Sequence, residues 1–196
     1  MTWKQLACVA LLVLAVAGCV RSLHGLYTQN DLVFKPELLG RWNEEGEKNS
    51  WTFTQANATS YLLRFVQQEG SRRHNAGAAG PDSATFEVHM VDLKGMLFLD
   101  FYPKEPEVTT ELCKVHMLPV HTFWTVRVEP GHVRLAMLSQ DWLKRKVDAG
   151  ELKIKHERVN EEIILTAPTA ELQQMMVSVG DREDAYGEPV DLVAAK

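Results

Sequence analysis

A mainly β fold is what the sequence predicts: an antiparallel meander curled into a barrel or a strongly curved sheet, with two short helices. Three observations predict it. About eight runs are rich in aromatic and β-branched residues at strand length, most of them are joined by turn residues, and only two stretches carry helix start and stop signals.

Taken in order, Pro36-Glu37-Leu38-Leu39 leads into Gly40-Arg41-Trp42 at the head of the first strand. Trp51-Thr52-Phe53-Thr54 alternates, Tyr61 to Val66 is densely aromatic and aliphatic, and Phe86-Glu87-Val88-His89-Met90 alternates again. Between the last two, Glu69 to Asp82 holds three glycines, a proline and the pair Arg72-Arg73 without periodicity, and is expected to be a mobile hairpin loop. Met96 to Tyr102 follows Gly95. Val115 to Val128 is the longest strand-like stretch, and Pro119 within it must mark a bulge, an edge or a break, because proline donates no ladder hydrogen bond. The turn Glu129-Pro130-Gly131 leads to a hairpin partner, Val133 to Met137.

Ser139 is placed to cap a helix carrying Trp142, Leu143 and Val147 and stopped by Gly150. A second helix, Ala170 to Val179, has Thr169 as its expected cap and Gly180 as its end. Between them His156 to Thr166 reads as one strand centred on Ile163-Ile164-Leu165. The stretch from Asp181 has five acids and no sustained apolar pattern, and is expected to be a flexible acidic tail over 181–196. The predicted organisation is a leader over 1–18, a tether over 19–35, one β-rich domain over 36–180, and that tail.

The start has the three parts of an export signal: Lys4, an apolar run from Leu6 to Ala17, and small residues at Ala17 and Gly18. The run is short of the ~20 residues that a membrane-spanning helix needs. Its ending, Leu14-Ala15-Val16-Ala17-Gly18-Cys19, resembles the lipobox of bacterial lipoproteins. That resemblance implies cleavage between Gly18 and Cys19, diacylglyceryl and fatty-acyl (palmitate-type) modification of Cys19, and a membrane-anchored place in the cell envelope. Val20 after the cysteine leans toward the outer membrane. His121-Thr122-Phe123 and Ala170-Glu171-Leu172-Gln173 also resemble bacterial lipoproteins of uncharacterised role.

Removing residues 1–18 takes away one base, Lys4, and moves the formal charge from −5 to −6. An acidic chain whose densest basic spots, Arg72-Arg73 and Lys144-Arg145-Lys146, read as solvated loop or helix faces argues against a nucleic-acid partner. With Cys8 discarded and Cys19 acylated, Cys113 is alone, which excludes an internal disulfide; between Leu112 and Val115 it reads as a small buried hydrophobe.

Gly40-Arg41-Trp42 and a helix after a late strand resemble the lipocalin, or calycin, pattern. In that family the glycine lets the chain turn at the barrel base and the tryptophan closes its floor. The helix expected at Gln140 to Ala149 departs from a simple lipocalin, and the family's central Thr-Asp-Tyr segment has no counterpart.

Chemistry is sparse. His89, His116, His121 and His156 lie on or beside predicted strands, but no His-x-His or Cys-x-x-Cys spacing is present, and His116 and His121, five apart, face opposite sides of a regular strand. No metal or cofactor is expected. No Gly-x-Ser-x-Gly occurs, and Ser139-Gln140-Asp141 is a helix start. Asp92 and Asp100 form the one carboxylate pair considered for acid–base work; Asp92 is expected to open a turn and Asp100 to face outward. No catalytic residue is assigned. Asn57-Ala58-Thr59 reads as turn sequence. Two functions remain: a binding barrel whose interior, lined by Trp42, Phe53, Phe65, Phe98, Phe101 and Phe123, holds an apolar or amphipathic ligand, or a structural lipoprotein whose outer face holds another envelope protein.

Overall fold

The computed structural model describes residues 18–67, 82–104 and 111–195. The leader up to residue 17, nearly all of the Glu69–Asp82 loop and the Cys113 side chain lie outside the described residues.

Strands β1 (Arg21–Ser22) and β2 (Leu32–Val33) precede a 3-10 helix, Pro36–Leu38. The barrel strands follow as β3 (Gly40–Glu44), β4 (Ser50–Gln55), β5 (Ser60–Gln67), β6 (Asp82–Leu93) and β7 (Met96–Pro103). After α1 (Glu111–Lys114) come β8 (Thr122–Glu129), β9 (His132–Met137), α2 (Gln140–Asp148), β10 (His156–Val159), β11 (Glu162–Leu165), α3 (Thr169–Val179) and β12 (Val190–Ala194).

Among the described residues, eight antiparallel strands run in the order β6-β5-β4-β3-β12-β9-β8-β7, and pairing of β6 with β7 closes the ring. The result is a lipocalin-like barrel. Closure removes the unpaired edges that an open sheet would carry.

The turns are those the residues favour. Lys94 and Gly95 both have positive φ (57° and 85°) in the tight β6–β7 hairpin, and the Asp92 carboxylate accepts from Gly95 N at 2.7 Å. Asn57 accepts from the Thr59 backbone and hydroxyl, the side-chain turn expected of that triplet. At the β3 entry Gly40 has φ 128°, a conformation that side chains resist, and Trp42 folds inward with its indole N–H donating to Leu38 O at 3.0 Å. Register places these features at one end with the β4–β5, β6–β7 and β8–β9 turns. The opposite end carries the β3–β4 turn and the long connections leaving β5, β7 and β9.

Two cores share the barrel wall. The interior holds Leu38, Trp42, Trp51, Phe53, Tyr61, Leu63, Val88, Met90, Leu99, Phe101, Val126, Val133, Leu135 and Leu192. The second lies outside the barrel, where Val91, Leu93, Phe98 and Phe123 from β6, β7 and β8 meet Trp142 and Leu143 of α2, Ile163 and Leu165 of β11, and Leu172, Met175, Met176 and Val179 of α3. Strands β6 and β7 are thus buried on both faces, which is why Met96 to Phe101 is an apolar run broken only by Asp100.

Several expectations are corrected. The acidic stretch is no loose tail: β12 pairs with β3 on one side and β9 on the other, and Leu192 is fully buried. Its acids point away from the interior while Leu192 points in, so five strand residues outweigh a polar composition. The 19–35 segment is no tether either. Val20 and Leu26 are fully buried, β1 pairs in parallel with β11, and β2 pairs with β6. Pro119 marks the end of an irregular stretch, since residues 115–120 form no strand and pairing begins only with the His121 bridge. His156 to Thr166 is a hairpin, turned by Asn160 and Glu161 at φ 50° and 68°. Ser139 does cap α2, accepting from Trp142 N at 3.3 Å, and Gly150 at φ 71° stops it. Thr169 does not cap α3; its hydroxyl donates to Gly25 O at 2.9 Å and so ties the helix start to the amino-terminal segment.

Leu192→Ala is expected to destabilise the protein by ~2–5 kcal/mol through the cavity it leaves in the interior. Urea unfolding followed by tryptophan fluorescence measures it; a loss below ~0.5 kcal/mol, the range of ordinary surface changes, would contradict the assigned role of β12.

Candidate functional site

Parity along the strands decides where the expected ligand-lining aromatics go. Trp42, Phe53, Phe65 and Phe101 belong to the interior. Phe98 and Phe123 do not: Phe98 lies three positions from Phe101 and therefore on the opposite face of β7, and both pack in the outer core.

The interior is unevenly filled. Toward the turn-rich end Phe53, Tyr61, Leu63, Met90, Leu99 and Leu135 are almost wholly buried, and the Tyr61 hydroxyl exchanges hydrogen bonds with the Lys35 backbone. Toward the other end an aromatic cluster forms. Phe101 stacks on Trp124 at 5.2 Å between ring centroids, and Trp51 meets Phe65, Trp124 and Phe101 edge-on at 5.0, 6.1 and 6.4 Å. Phe86 closes the group against Phe101 at 6.0 Å. Trp51 and Phe101 are buried, whereas Phe65, Phe86 and Trp124 are only partly so. Offset and edge-on contacts of this kind hold an aromatic surface in shape. Among the described residues the cluster presents a concentrated apolar surface at the barrel end from which the longest connections depart.

A second cluster, of polar groups, sits on the outer wall. Asp100 does point away from the barrel axis as expected, yet it is fully buried, because the amino-terminal segment covers that face. Its Oδ2 accepts from Leu26 N and its Oδ1 from Nδ1 of His121, both at 2.6 Å. A carboxylate facing Nδ1 favours a proton on that nitrogen and fixes the orientation of the ring. Tyr102 lies against the His121 ring at 4.5 Å. The chain passes so close at Gly25 that a Cβ there would lie 3.2 Å from both Asp100 Oδ2 and His121 Cε1.

His89, opposite Asp100 in the β6–β7 register, stacks on Tyr27 at 4.1 Å, with Glu87 3.8 Å from its Nε2. Its buried Nδ1 has no partner. Burial pushes the His89 pKa below the ordinary histidine value, overcoming the pull of Glu87 and Asp100. Burial, with Asp100, Glu87 and Tyr102 nearby, raises that of Tyr27.

This arrangement orients an imidazole but supplies no nucleophile: among the described residues no Ser, Thr or Cys side chain hydrogen-bonds to His121. The Ser22 hydroxyl, on the neighbouring bridge, donates to His24 O at 2.7 Å. Asp100 and His121 hold Leu26 and Ser22 onto the barrel.

The histidines considered as metal ligands do not assemble. His116 is exposed and contacts Leu112 O, and His156 contacts Ile154 O. Among the described residues no group of three His, Cys, Asp or Glu is placed to hold a metal. Asp92 and Asp100 serve separate ends of their hairpin. No helix among the described residues is long and apolar enough to cross a membrane. An open depression of 420 Å³ lies between Val147, Leu152, Ile154, Lys155, His156 and Glu171.

Sequence reasoning missed the Asp100 cluster. An aspartate inside an otherwise unbroken apolar run was the available signal, because strands buried on both faces leave no solvent side for a charge. Comparison with protein-family models, with curated proteins and with solved structures gives no match, so the functional argument stands on the geometry.

Asp100→Asn replaces an acceptor of two strong hydrogen bonds by a group that can accept only one of them well. A loss of ~1.5–3 kcal/mol in urea unfolding is expected, and a neutral result would mean that the carboxylate does not hold the amino-terminal segment. For His89 the sign follows from burial of the neutral ring. Below the ordinary value of 6.5 the unfolded chain takes up a proton that the folded chain resists, so stability falls as pH drops. His89→Phe should remove that part of the dependence, and unfolding curves at pH ~7.5 and ~5.5 that shift equally for both proteins would refute it.

Proposed function

We propose that this chain is a lipid-anchored barrel protein of the bacterial envelope that binds an apolar or amphipathic molecule at its aromatic end. The observation that carries the proposal is the partly exposed cluster of Trp51, Phe65, Phe86, Phe101 and Trp124. Ligand sites are typically lined by apolar and aromatic side chains, and this cluster supplies such side chains at one barrel end while the lower interior is packed as core. The ligand contact therefore shifts, relative to the sequence expectation, from the whole interior to its upper tier.

The anchor rests on the lipobox ending in Cys19, which is exposed at the surface while Val20 is buried. Acyl chains on Cys19 would hold the protein at a membrane, each buried CH₂ contributing ~0.8 kcal/mol, and an amphipathic ligand would be drawn from the same lipid phase. The structural-protein alternative, an outer face that holds another envelope protein, draws on the tight packing around Phe53, Tyr61 and Leu63 and on the exposed apolar residues of 112–118, and it leaves the partly exposed aromatics without a role.

Titration of the purified, processed protein with a fluorescent long-chain fatty acid tests this, with energy transfer from tryptophan as the readout. Saturable binding near one molecule per chain is expected, and Trp124→Ala should weaken it about tenfold, the equivalent of ~1.4 kcal/mol. Non-saturable uptake, or an affinity indifferent to Trp124→Ala and Phe65→Ala, would sink the binding function. The anchor is checked separately, because Cys19→Ala should abolish membrane attachment and precursor cleavage.

A further inference from the structure

Six large apolar side chains are exposed among the described residues, and four of them fall within seven positions: Leu112, Val115, Met117 and Leu118, exposed by 73, 77, 51 and 71%. Isolated exposed apolar residues are ordinary on a protein surface; a concentration of them in one segment is not. The segment is α1 and the chain just after it, on the connection between β7 and β8.

Its place in the fold says what it faces. Ser22 and His121 exchange backbone hydrogen bonds of 2.9 and 2.8 Å. Cys19 precedes Ser22 by three residues and Leu118 precedes His121 by three, so at ~3.6 Å per extended residue each lies within roughly 11 Å of that pair. Leu23, a fifth exposed apolar residue at 39%, adjoins it. The bridge is antiparallel, so the cysteine of the lipobox and the apolar segment run away from the pair in opposite directions along the rim of the same barrel end. Cys19 is also bridged to Ser139, just beyond the β9 end that belongs to the aromatic end of the barrel.

We propose that residues 112–118 insert into the headgroup–acyl boundary of a lipid bilayer at the same barrel end as Cys19 and seat that aromatic end against the membrane. The occupant of this apolar surface is therefore lipid, an inference that rests on the anchor argued above. A chain held only at one flexible point would sample all orientations. Here Val20 is buried, so no flexible arm separates anchor from barrel, and a second apolar contact across the same barrel end restricts the tilt. Amphipathic segments at membrane surfaces bury their apolar side chains ~5–10 Å deep, a depth that these side chains can reach from an exposed connection.

The test places an added indole at the segment. Processed protein carrying Leu118→Trp is reconstituted into vesicles of phosphatidylethanolamine and phosphatidylglycerol that contain a lipid spin-labelled on its acyl chain. Val159→Trp, exposed on β10, is the reference; both positions lie outside the cores, and the fluorescence of the unsubstituted protein is subtracted. Quenching of the added indole at least twofold stronger for Leu118→Trp than for Val159→Trp is the expected result. Equal quenching overturns the proposal. So does a shielded, unquenched indole accompanied by a doubled particle mass, which would assign the segment to a second copy of the chain. The intact mass of the same preparation reports acylation of Cys19: acyl chains without preferential quenching overturn the insertion alone, whereas preferential quenching without acyl chains overturns the anchor and leaves the insertion standing.

Discussion

The edges of β3 and β9 have partners only because β12 runs between them, with Leu192 opposite Glu44 on one side and Val133 on the other. Without that strand the sheet would be a curved open surface with two unpaired edges and a water-filled gap beside Trp42 and Val133. Closure converts the alternation of each strand into an inside and an outside, and every other feature depends on the distinction: which aromatics share the interior, which residues face α2 and α3, and where a polar group can be tolerated.

The outside of the barrel is itself half covered. Helices α2 and α3, the small β1-β11-β10 sheet and the amino-terminal segment all pack over β6, β7 and β8. A charge on that wall is costly unless satisfied, and Asp100 is satisfied twice, by Leu26 N and by His121. The carboxylate fixes the path of residues 22–26, and that path in turn fixes where Cys19 and the 112–118 connection emerge. A buried hydrogen-bonded pair on the outer wall, at the level of the aromatic end, thus orders the parts through which the protein would meet a membrane.

Much of the barrel was legible because local chemistry and tertiary outcome agree. Trp51 to Thr54, Tyr61 to Val66 and Val133 to Met137 alternate or run apolar as strands do, and Gly40, Gly95, Gly131 and Gly150 stand where backbone sign requires them. The losses came where context outweighs composition. Val190 to Ala194 is short and flanked by acids, and nothing local reveals that two strands wait on either side of it. Residues 115–120 are apolar enough for a strand but pair with none among the described residues, and Val115, Met117 and Leu118 stay exposed. Of the six aromatics assigned to a pocket, four were placed correctly inside; counting positions modulo two along β7 would have moved Phe98 to the other wall.

The pairing of Trp42 with Ala194 joins positions roughly 150 residues apart, among the most distant contacts the chain makes. A polypeptide emerging from a ribosome or an export channel meets β3 early and β12 last. Until then β3 and β9 wait as sticky edges, and the aromatic interior stays open to solvent along one seam. Assembly is therefore vectorial with a late lock, and the interval before locking is when holding chaperones would protect the chain and proteases would remove it.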